Sequence, residues 1–344
     1  MLSMATFYDQ SVRGSAESWR SIRARRARVP VAADDSSDRE QTFRSSLEQA
    51  EQLFKAADAI GYESRPLNLF YGLSQAGRAI AAASSASAAG GWALRGHGIT
   101  CKNLDDNWAS VTELVVAPTK DGKRTSSFSG VSQCLGSPPL EKDTRISDVV
   151  PLLFESSLEQ PFGNQQYAPL IVSSAPHVFP VGDGPYGTAD VCFELPMSLR
   201  NTPLEDRENF TSFLQRYPTL RAVEFRPQSG LPTVNDWLTG DELRFLWSPE
   251  TPAGGAELTP PFASRYRGHL ILFPELPNYS APLHPLMAWW VSLYVLSMAA
   301  RYAPAQWTSA IDVDVSPEAT SLEYVLDVAL DAVPDLIDEA LATL

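Results

Sequence analysis

The chain has 344 residues, of which 44% are hydrophobic and 20% are charged. This composition supports a sizeable buried core and excludes a wholly disordered or fibrous protein. The length fits one large domain or two small ones. The formal net charge of −14 disfavours non-specific binding to nucleic acid or to anionic lipid.

The cysteines and the apolar segments indicate a cytoplasmic protein. The three cysteines, Cys101, Cys134 and Cys192, are too few for a disulfide framework. None lies in a CxxC pair, which argues against a cysteine zinc site. Because no run of about 18 apolar residues occurs, we expect no transmembrane helix and no membrane partner. The N-terminus also lacks the basic and apolar segments of a secretory signal.

Charge is distributed unevenly along the chain. Arginine is concentrated near the N-terminus, at Arg13, Arg20, Arg23, Arg25, Arg26 and Arg28. After Arg301 there is no lysine or arginine, and the tail is acidic. We favour pairing of the basic segment with the acidic tail inside one molecule; the alternative is that both are docking surfaces for a partner. We predict a flexible Arg-rich segment over 1–36 and a single domain over 37–344.

Two helices are predicted at the start of that domain. Ser37 and Glu40 have the spacing of a capping box, and apolar residues then recur every three or four positions up to Gly61. The second helix begins near Pro66 and extends to Gly90. Its second half is mostly alanine, serine and glycine, whose small side chains let a neighbouring helix approach closely, so we expect this helix to be central.

The middle of the chain is predicted to contain short strands. Segments rich in β-branched and aromatic residues, bounded by proline, glycine or aspartate, have the pattern of strands. They are 111–117, 124–133, 168–174, 190–196, 221–227, 242–247 and 267–273. Two helical stretches are predicted between them, near 147–156 and 204–216.

The last third is predicted to be helical again. The segment from Pro285 to Pro304 is apolar on every face but short of a bilayer, which predicts a buried helix. Another helix begins at Ser316, and Pro334 separates it from a final short helix. We therefore predict an α+β fold in which helices from both ends of the chain pack together with a mixed mid-chain β region. The predicted regions are helical 37–100, β-rich 108–275 and helical 284–344.

The sequence contains no complete catalytic or metal-binding motif. The four histidines form neither HExxH nor a Cys-His cluster of metal spacing, so we predict no metal and no cofactor, and no catalytic residue is assigned. Ser74 lies inside a helical pattern, whereas a nucleophile elbow needs a strand before its serine. The glycine-rich segment 182–187 lacks the GK[ST] of a phosphate loop.

The string Arg95-Gly96-His97-Gly98 is the strongest candidate for a binding site. Glycine on both sides allows tight turns and leaves the imidazole accessible. Histidine can carry a proton near neutral pH, and arginine can hold a phosphate or carboxylate. Lys102 follows closely. The alternative is a histidine that caps a helix end or hydrogen-bonds the backbone in a turn.

Polar residues also share one face of the second predicted helix, where Asn68, Tyr71 and Arg78 recur at steps of three or four through Gln75. This face is the wall of a pocket, a buried polar network or the solvent side. Arg301 ends the later apolar helix, and we interpret it as a complement to the last helical carbonyls. The candidate binding residues are Asn68, Tyr71, Arg78, Arg95, His97 and Lys102.

Two segments resemble a known family. RPLNLFYGLSQAGRAIAAA, with the RGHGIT string after it, resembles the N-terminal half of the YaaC-like proteins of bacteria. HPLMAWWVSLYVLSMAARYAPAQW resembles the helix near their C-terminus. The blocks agree in order and spacing from Pro66 to Trp307, with the Arg-rich N-terminus and the acidic tail outside them. The resemblance implies a bacterial cytosolic protein and carries no molecular function.

A looser similarity connects the first of these segments to helical HEPN domains, which often serve as ribonucleases or nucleotide-binding partners. The similarity rests on the helix with Asn68, Tyr71 and Arg78 and on the histidine that follows it. The HEPN nuclease motif needs a wider spacing than that between Arg95 and His97. This departure argues against the nuclease activity.

Three functional hypotheses follow. The leading one is a cytosolic YaaC-like binding or interaction protein, because no catalytic constellation is complete. The second is an enzyme acting on a phosphate-bearing substrate, RNA or nucleotide, with His97 as general acid or base and nearby arginine or lysine holding the phosphate. The third is a HEPN-like defence or regulatory component. The partner is left open between another protein and a second copy of the chain.

Overall fold

The computed structural model divides into two compact units. The first contains Met1–Gly163 and Leu283–Leu344, and the second contains Asn164–Pro282. The single domain over 37–344 stays a prediction. The residues that the structure describes are 14–30, 32–87, 91–105, 107–119, 126–157, 169–171, 177–180, 187–194, 215–217, 242–247, 264–266, 269–277, 279 and 281–344.

The first unit begins with three helices, α1 (Ser15–Ala27), α2 (Ser37–Asp58) and α3 (Arg65–Ala83). The N-cap of α2 is Ser36, one residue before the predicted cap, and its side chain accepts a hydrogen bond from the Arg39 N–H. The predicted apolar stripe of α2 is buried. Helix α3 ends well before Gly90, and a 3₁₀ turn at Ser85–Ser87 follows it.

Helix α3 is central to the first unit, as predicted. A Cβ atom on Gly72 would lie 2.7 Å from the Phe54 ring of α2. A Cβ atom on Gly77 would lie 2.5 Å from the Trp290 ring of a later helix. Both approaches are closer than a methyl group allows, so the two glycines let helices pack against α3 from two sides.

A three-stranded antiparallel sheet follows α3, with the order β1 (Ile99–Cys101), β2 (Val115–Pro118) and β3 (Thr144–Arg145). Two short helices belong to the same region, α4 (Ser127–Cys134) and α5 (Ile146–Val149). The remaining elements are 3₁₀ turns at Val111–Glu113, Val150–Leu152 and Phe154–Ser157.

The end of the chain contributes α6 (Pro285–Tyr302), α7 (Pro304–Ala310) and α8 (Ala319–Ala342). Helix α6 packs on α3, and α8 packs on α1 and α3. The predicted α+β fold, with helices from both ends of the chain packed together, is confirmed. Within the described residues no helix is both long enough and apolar enough to cross a membrane.

Helix α1, which contains most of the basic segment, contacts the acidic tail in α8. The Nε atom of Arg25 donates to Oδ1 of Asp338 at 2.6 Å, and the Ser21 hydroxyl donates to the same atom at 2.8 Å. On α2, Glu48 and Glu51 pair with two further arginines, Arg26 and Arg23. Arg25 thus pairs with the acidic tail, as predicted for the basic segment, whereas Arg23 and Arg26 pair with α2 instead.

The second unit contains two three-stranded antiparallel sheets. One has the order β4 (Leu170–Ile171), β9 (His269–Leu272) and β8 (Ser264–Tyr266). The other has the order β5 (His177–Pro180), β6 (Gly187–Glu194) and β7 (Glu242–Trp247). The strand predicted over 242–247 has the predicted bounds. The predicted strand 221–227 and most of the predicted helix 204–216 lie outside the described residues.

The strand predicted over 124–133 is wrong, because Ser127–Cys134 forms helix α4. Ser126 caps this helix by accepting a hydrogen bond from the Ser129 N–H. Phe128 and Val131, which lie three residues apart, are both buried on one side of it. The serine cap and this spacing outweigh the strand preference of the individual residues.

The helix break predicted at Pro334 is also wrong. Helix α8 continues through this proline, which is buried. Proline cannot donate the usual helical hydrogen bond, so the site carries a local cost. The buried apolar stripe continues on both sides, from Leu322 and Leu326 to Ile337 and Leu341. Burial of this continuous stripe offsets the lost hydrogen bond and keeps the helix whole.

Candidate functional site

The string predicted as a binding site lies between α3 and β1, in an irregular turn. Gly96 and Gly98 have φ angles of 64° and 82°, in the left-handed region that favours glycine. A Cβ atom on Gly98 would also collide with the side chain of Ser126. The two glycines therefore have the role that their positions beside the histidine predicted, since they form the tight turn that presents His97.

Backbone hydrogen bonds hold this turn in place. The His97 carbonyl accepts from the Phe128 N–H at 3.1 Å, at the start of α4. The Gly98 carbonyl accepts from the Thr119 N–H at 3.0 Å. The position of the histidine is thus determined by the first turn of α4 and by the segment after β2.

Aromatic rings surround the His97 side chain, which is half-buried. Its centroid lies 5.4 Å from that of Phe70 on α3 and 5.6 Å from that of Tyr294 on α6. The interplanar angles are 53° and 50°, so the rings are tilted rather than stacked face to face. These contacts restrict the orientation of the imidazole.

Burial and positive charge lower the pKa of His97 below its usual value. Burial is the largest cause, and the charges of Arg301 and Arg78 add to it. The imidazole is therefore neutral at neutral pH, with one nitrogen able to donate a hydrogen bond and the other able to accept one.

The two arginines come from the two helices that pack together. Arg301 ends α6, and its Nη1 atom donates to the Tyr71 hydroxyl of α3 at 2.9 Å. Arg78 is exposed on α3. Neither guanidinium forms an ion pair with a carboxylate in the part of the chain that the structure describes. The charge near His97 is consequently positive, in a protein whose net charge is −14.

Two further ionisable side chains belong to this region: Tyr294, whose ring lies against His97, and Cys101, which is near Tyr294. Burial raises the pKa of Tyr294 to about 12, with a contribution from nearby Cys101, and its hydroxyl is hydrogen-bonded with Thr100. Burial likewise raises the pKa of the Cys101 thiol to about 11. Both groups are protonated at neutral pH, so neither the thiolate nor the phenolate is available as a nucleophile.

The structure brings together three of the six candidate residues. Tyr71 accepts a hydrogen bond from Arg301 at the end of α6, and the charges of Arg301 and Arg78 both act on His97. Lys102 instead forms an exposed ion pair with Asp143 at 2.6 Å. Arg95 is exposed, and its described contact is a backbone bridge to Ser126.

Asn68 is the remaining candidate. It is half-buried on α3. Its side chain makes no hydrogen bond with any residue in the described ranges. The polar residues of this helix face therefore differ in their surroundings. Tyr71 and Arg78 belong to the group around His97, whereas Asn68 makes no hydrogen bond within the described residues.

The contribution of α6 to this region was not predicted. Arg301, interpreted from the sequence as a complement to helical carbonyls, donates to Tyr71 and lies over the Tyr302 ring, 5.0 Å from its centroid. The only local signal was an arginine and a tyrosine at the end of an otherwise apolar helix. Among the residues that the structure describes, no group of three His, Cys, Asp or Glu side chains could hold a metal ion.

A comparison with known protein families gives a match over nearly the whole chain. A model of the YaaC-like protein family matches residues 10–341. The chain belongs to the YaaC-like family. This match is longer than the resemblance seen from Pro66 to Trp307, and it includes the Arg-rich and acidic segments that the resemblance left outside. Searches of curated proteins and of solved structures found no match.

Proposed function

We propose that this YaaC-like protein binds a small phosphate-bearing ligand at a cationic cluster formed by Arg78, His97 and Arg301. The observation that carries the proposal is the pair of arginine charges acting on His97 without a carboxylate partner among the described residues. Guanidinium groups suit phosphate because they present several donors in a planar fork.

The surroundings of the cationic cluster support binding of an anion. Tyr71 accepts from Arg301 through its hydroxyl and so orients the guanidinium without neutralising it. The neutral His97 adds a donor or an acceptor of its own. A bound phosphate would supply the negative charge that the arginines lack, and it would favour protonation of His97.

The experiment is isothermal titration calorimetry of the full chain with inorganic phosphate and ribose 5-phosphate. We expect Arg78→Gln or Arg301→Gln to weaken binding about tenfold or more, because a hydrogen bond to a charged group contributes about 1.5–3 kcal/mol. The matched control is Arg145→Gln, an exposed arginine on β3, which should leave affinity unchanged. Equal affinities for the unchanged protein and both cluster variants would contradict the proposal.

A second candidate is an enzyme that acts on the same class of ligand. It is favoured by the lowered pKa of His97, because a neutral imidazole beside two arginines can act as a general base on a phosphate-bearing substrate. The same titration samples, analysed for new phosphate-containing products, test it. Turnover that His97→Ala abolishes would support the enzyme, whereas binding without any product supports the binding protein.

Cytoplasmic location and a protein or homo-oligomeric partner are further proposals. Cys101 and Cys134 are free thiols, which supports a reducing compartment. The pairing of α1 with α8 and α2 engages much of the basic segment inside the molecule, so it gives little support to that segment as a docking surface. Light scattering of the purified chain distinguishes a monomer from an oligomer.

A further inference from the structure

We infer that the ligand of the cationic cluster is a nucleotide, whose planar base stacks on the exposed ring of Tyr302. This inference rests on the proposed function and adds to it the chemical class of the ligand. Phosphate contacts alone would accept any phosphate ester, whereas an aromatic platform beside them selects esters that carry a flat ring.

Tyr302 is unusual in its exposure. Its side chain is 57% exposed, and it is the one large aromatic residue more than half exposed in the part of the chain that the structure describes. The neighbouring aromatic residues Phe70 and Tyr294 are buried. An isolated exposed aromatic ring needs no explanation by itself. We assign the Tyr302 ring a role in ligand binding because it lies beside the cationic cluster.

The position of Tyr302 follows from its contacts. The Arg301 guanidinium carbon lies 5.0 Å from the centroid of the Tyr302 ring. Tyr302 also contributes to the raised pKa of Tyr294, whose ring lies 5.6 Å from that of His97. The exposed ring is therefore at the rim of the cationic cluster, next to one of its two arginines.

The chemistry of the rim matches a nucleotide. Every nucleobase has a π-face that can stack on a tyrosine ring, and such stacking is largely independent of base identity. Arg301 contacts the Tyr302 ring and donates to Tyr71, so its guanidinium can contact the phosphate while the ring beside it contacts the base. A sugar phosphate without a base would use only the cationic part.

The test compares AMP with ribose 5-phosphate by isothermal titration calorimetry of the full chain. We expect AMP to bind about tenfold more tightly than ribose 5-phosphate, in line with the stacking contributions seen at other aromatic platforms. Tyr302→Ala should weaken the binding of AMP about tenfold more than that of ribose 5-phosphate and so remove this difference. Tyr302→Phe keeps the ring and should keep the preference. Val313→Ala, at another exposed apolar side chain, is the control.

The outcomes separate this inference from the proposed function. Equal affinities for AMP and ribose 5-phosphate would overturn the inference and leave the cationic cluster as a general phosphate site. The inference is also overturned if Tyr302→Ala lowers the affinities for AMP and for ribose 5-phosphate by the same factor. If neither ligand nor inorganic phosphate binds, the proposed function fails and the inference fails with it.

Discussion

At the scale of single residues, the His284 side chain makes the start of α6 sensitive to pH. Its Nδ1 atom accepts a hydrogen bond from the Leu286 N–H at 3.1 Å and so caps the helix. Burial lowers the pKa of this histidine from 6.5 to about 4. The folded protein therefore holds His284 neutral, and a proton on Nδ1 would remove the cap.

We expect the free energy of unfolding to fall as the pH drops from about 6.5 to about 4. In this window the unfolded chain takes up a proton on His284 and the folded chain does not, so unfolding is favoured; above 6.5 the contribution is constant. At pH 5 the free energy of unfolding should be about 2 kcal/mol lower than at neutral pH, since each unit of pKa difference corresponds to about 1.4 kcal/mol. Urea denaturation at pH 7.5 and pH 5 measures it.

His284→Asn is the matching variant for this measurement, because asparagine caps helices well and does not titrate. The variant should lose less stability between the two pH values than the unchanged protein. An identical loss in both proteins would show that other groups cause the pH dependence.

Some residues of the candidate site were predictable from the sequence and others were not, depending on whether their role is local. The glycines beside His97 were interpreted correctly, because a positive φ is a local property that the residue type signals. The role of Lys102 could not be recognised in the same way. Its partner Asp143 is distant in sequence and reaches it through the pairing of β2 with β1 and β3.

At the scale of elements, the packing of α6 on α3 depends on Gly77. A Cβ atom there would lie 2.5 Å from Cζ3 and 2.7 Å from Cη2 of Trp290, and 3.0 Å from Val131. Trp290 is fully buried, so its ring has little room to move. The same helix pair supplies both arginines of the cationic cluster.

Gly77→Ala should destabilise the protein by about 1–3 kcal/mol, the usual cost of overpacking a core, although alanine favours helix formation. Gly14→Ala is the control for the added carbon, because nothing lies within 4 Å of it; at this N-cap position of α1 it should cost less than about 1 kcal/mol. Thermal unfolding of both variants measures the effect. A melting temperature for Gly77→Ala equal to that of the unchanged protein would contradict the packing argument.

Elements with long apolar periodicity were predicted well. The buried stripe of α2 and the all-apolar pattern of α6 identified helices close to their observed bounds. Short segments were less predictable, and 124–133 was assigned to a strand. Helix α4 has only eight residues, and a serine cap and one buried face are what make this segment helical rather than extended. Which face is buried depends on what the segment packs against.

At the scale of the whole molecule, contacts between α1 and α8 join the two ends of the chain. The Asp338 side chain is 3% exposed, and it accepts from Arg25 and Ser21. The Arg25 side chain is 34% exposed, so water partly solvates its charge. The carboxylate is the more strongly desolvated of the two groups and depends more on its partners.

Asp338→Ala should lower the free energy of unfolding by about 2 kcal/mol, less than for a fully buried pair because Arg25 can be rehydrated. The control is Asp143→Ala, which removes the exposed partner of the exposed Lys102 and should cost less than about 1 kcal/mol. Urea denaturation compares the two variants. Equal losses for both would indicate that burial of the α1 contact contributes nothing beyond a surface ion pair.

The sequence alone determined the main helices, the α+β class, the YaaC-like resemblance and the turn around His97. These properties depend on local periodicity and on residue type, which are present in the chain before it folds. Only the tertiary structure placed the Arg301 charge near His97, because that proximity depends on how α6 packs across α3. The glycines and buried tryptophan that determine this packing are encoded far apart in sequence, and they act together only in the folded core.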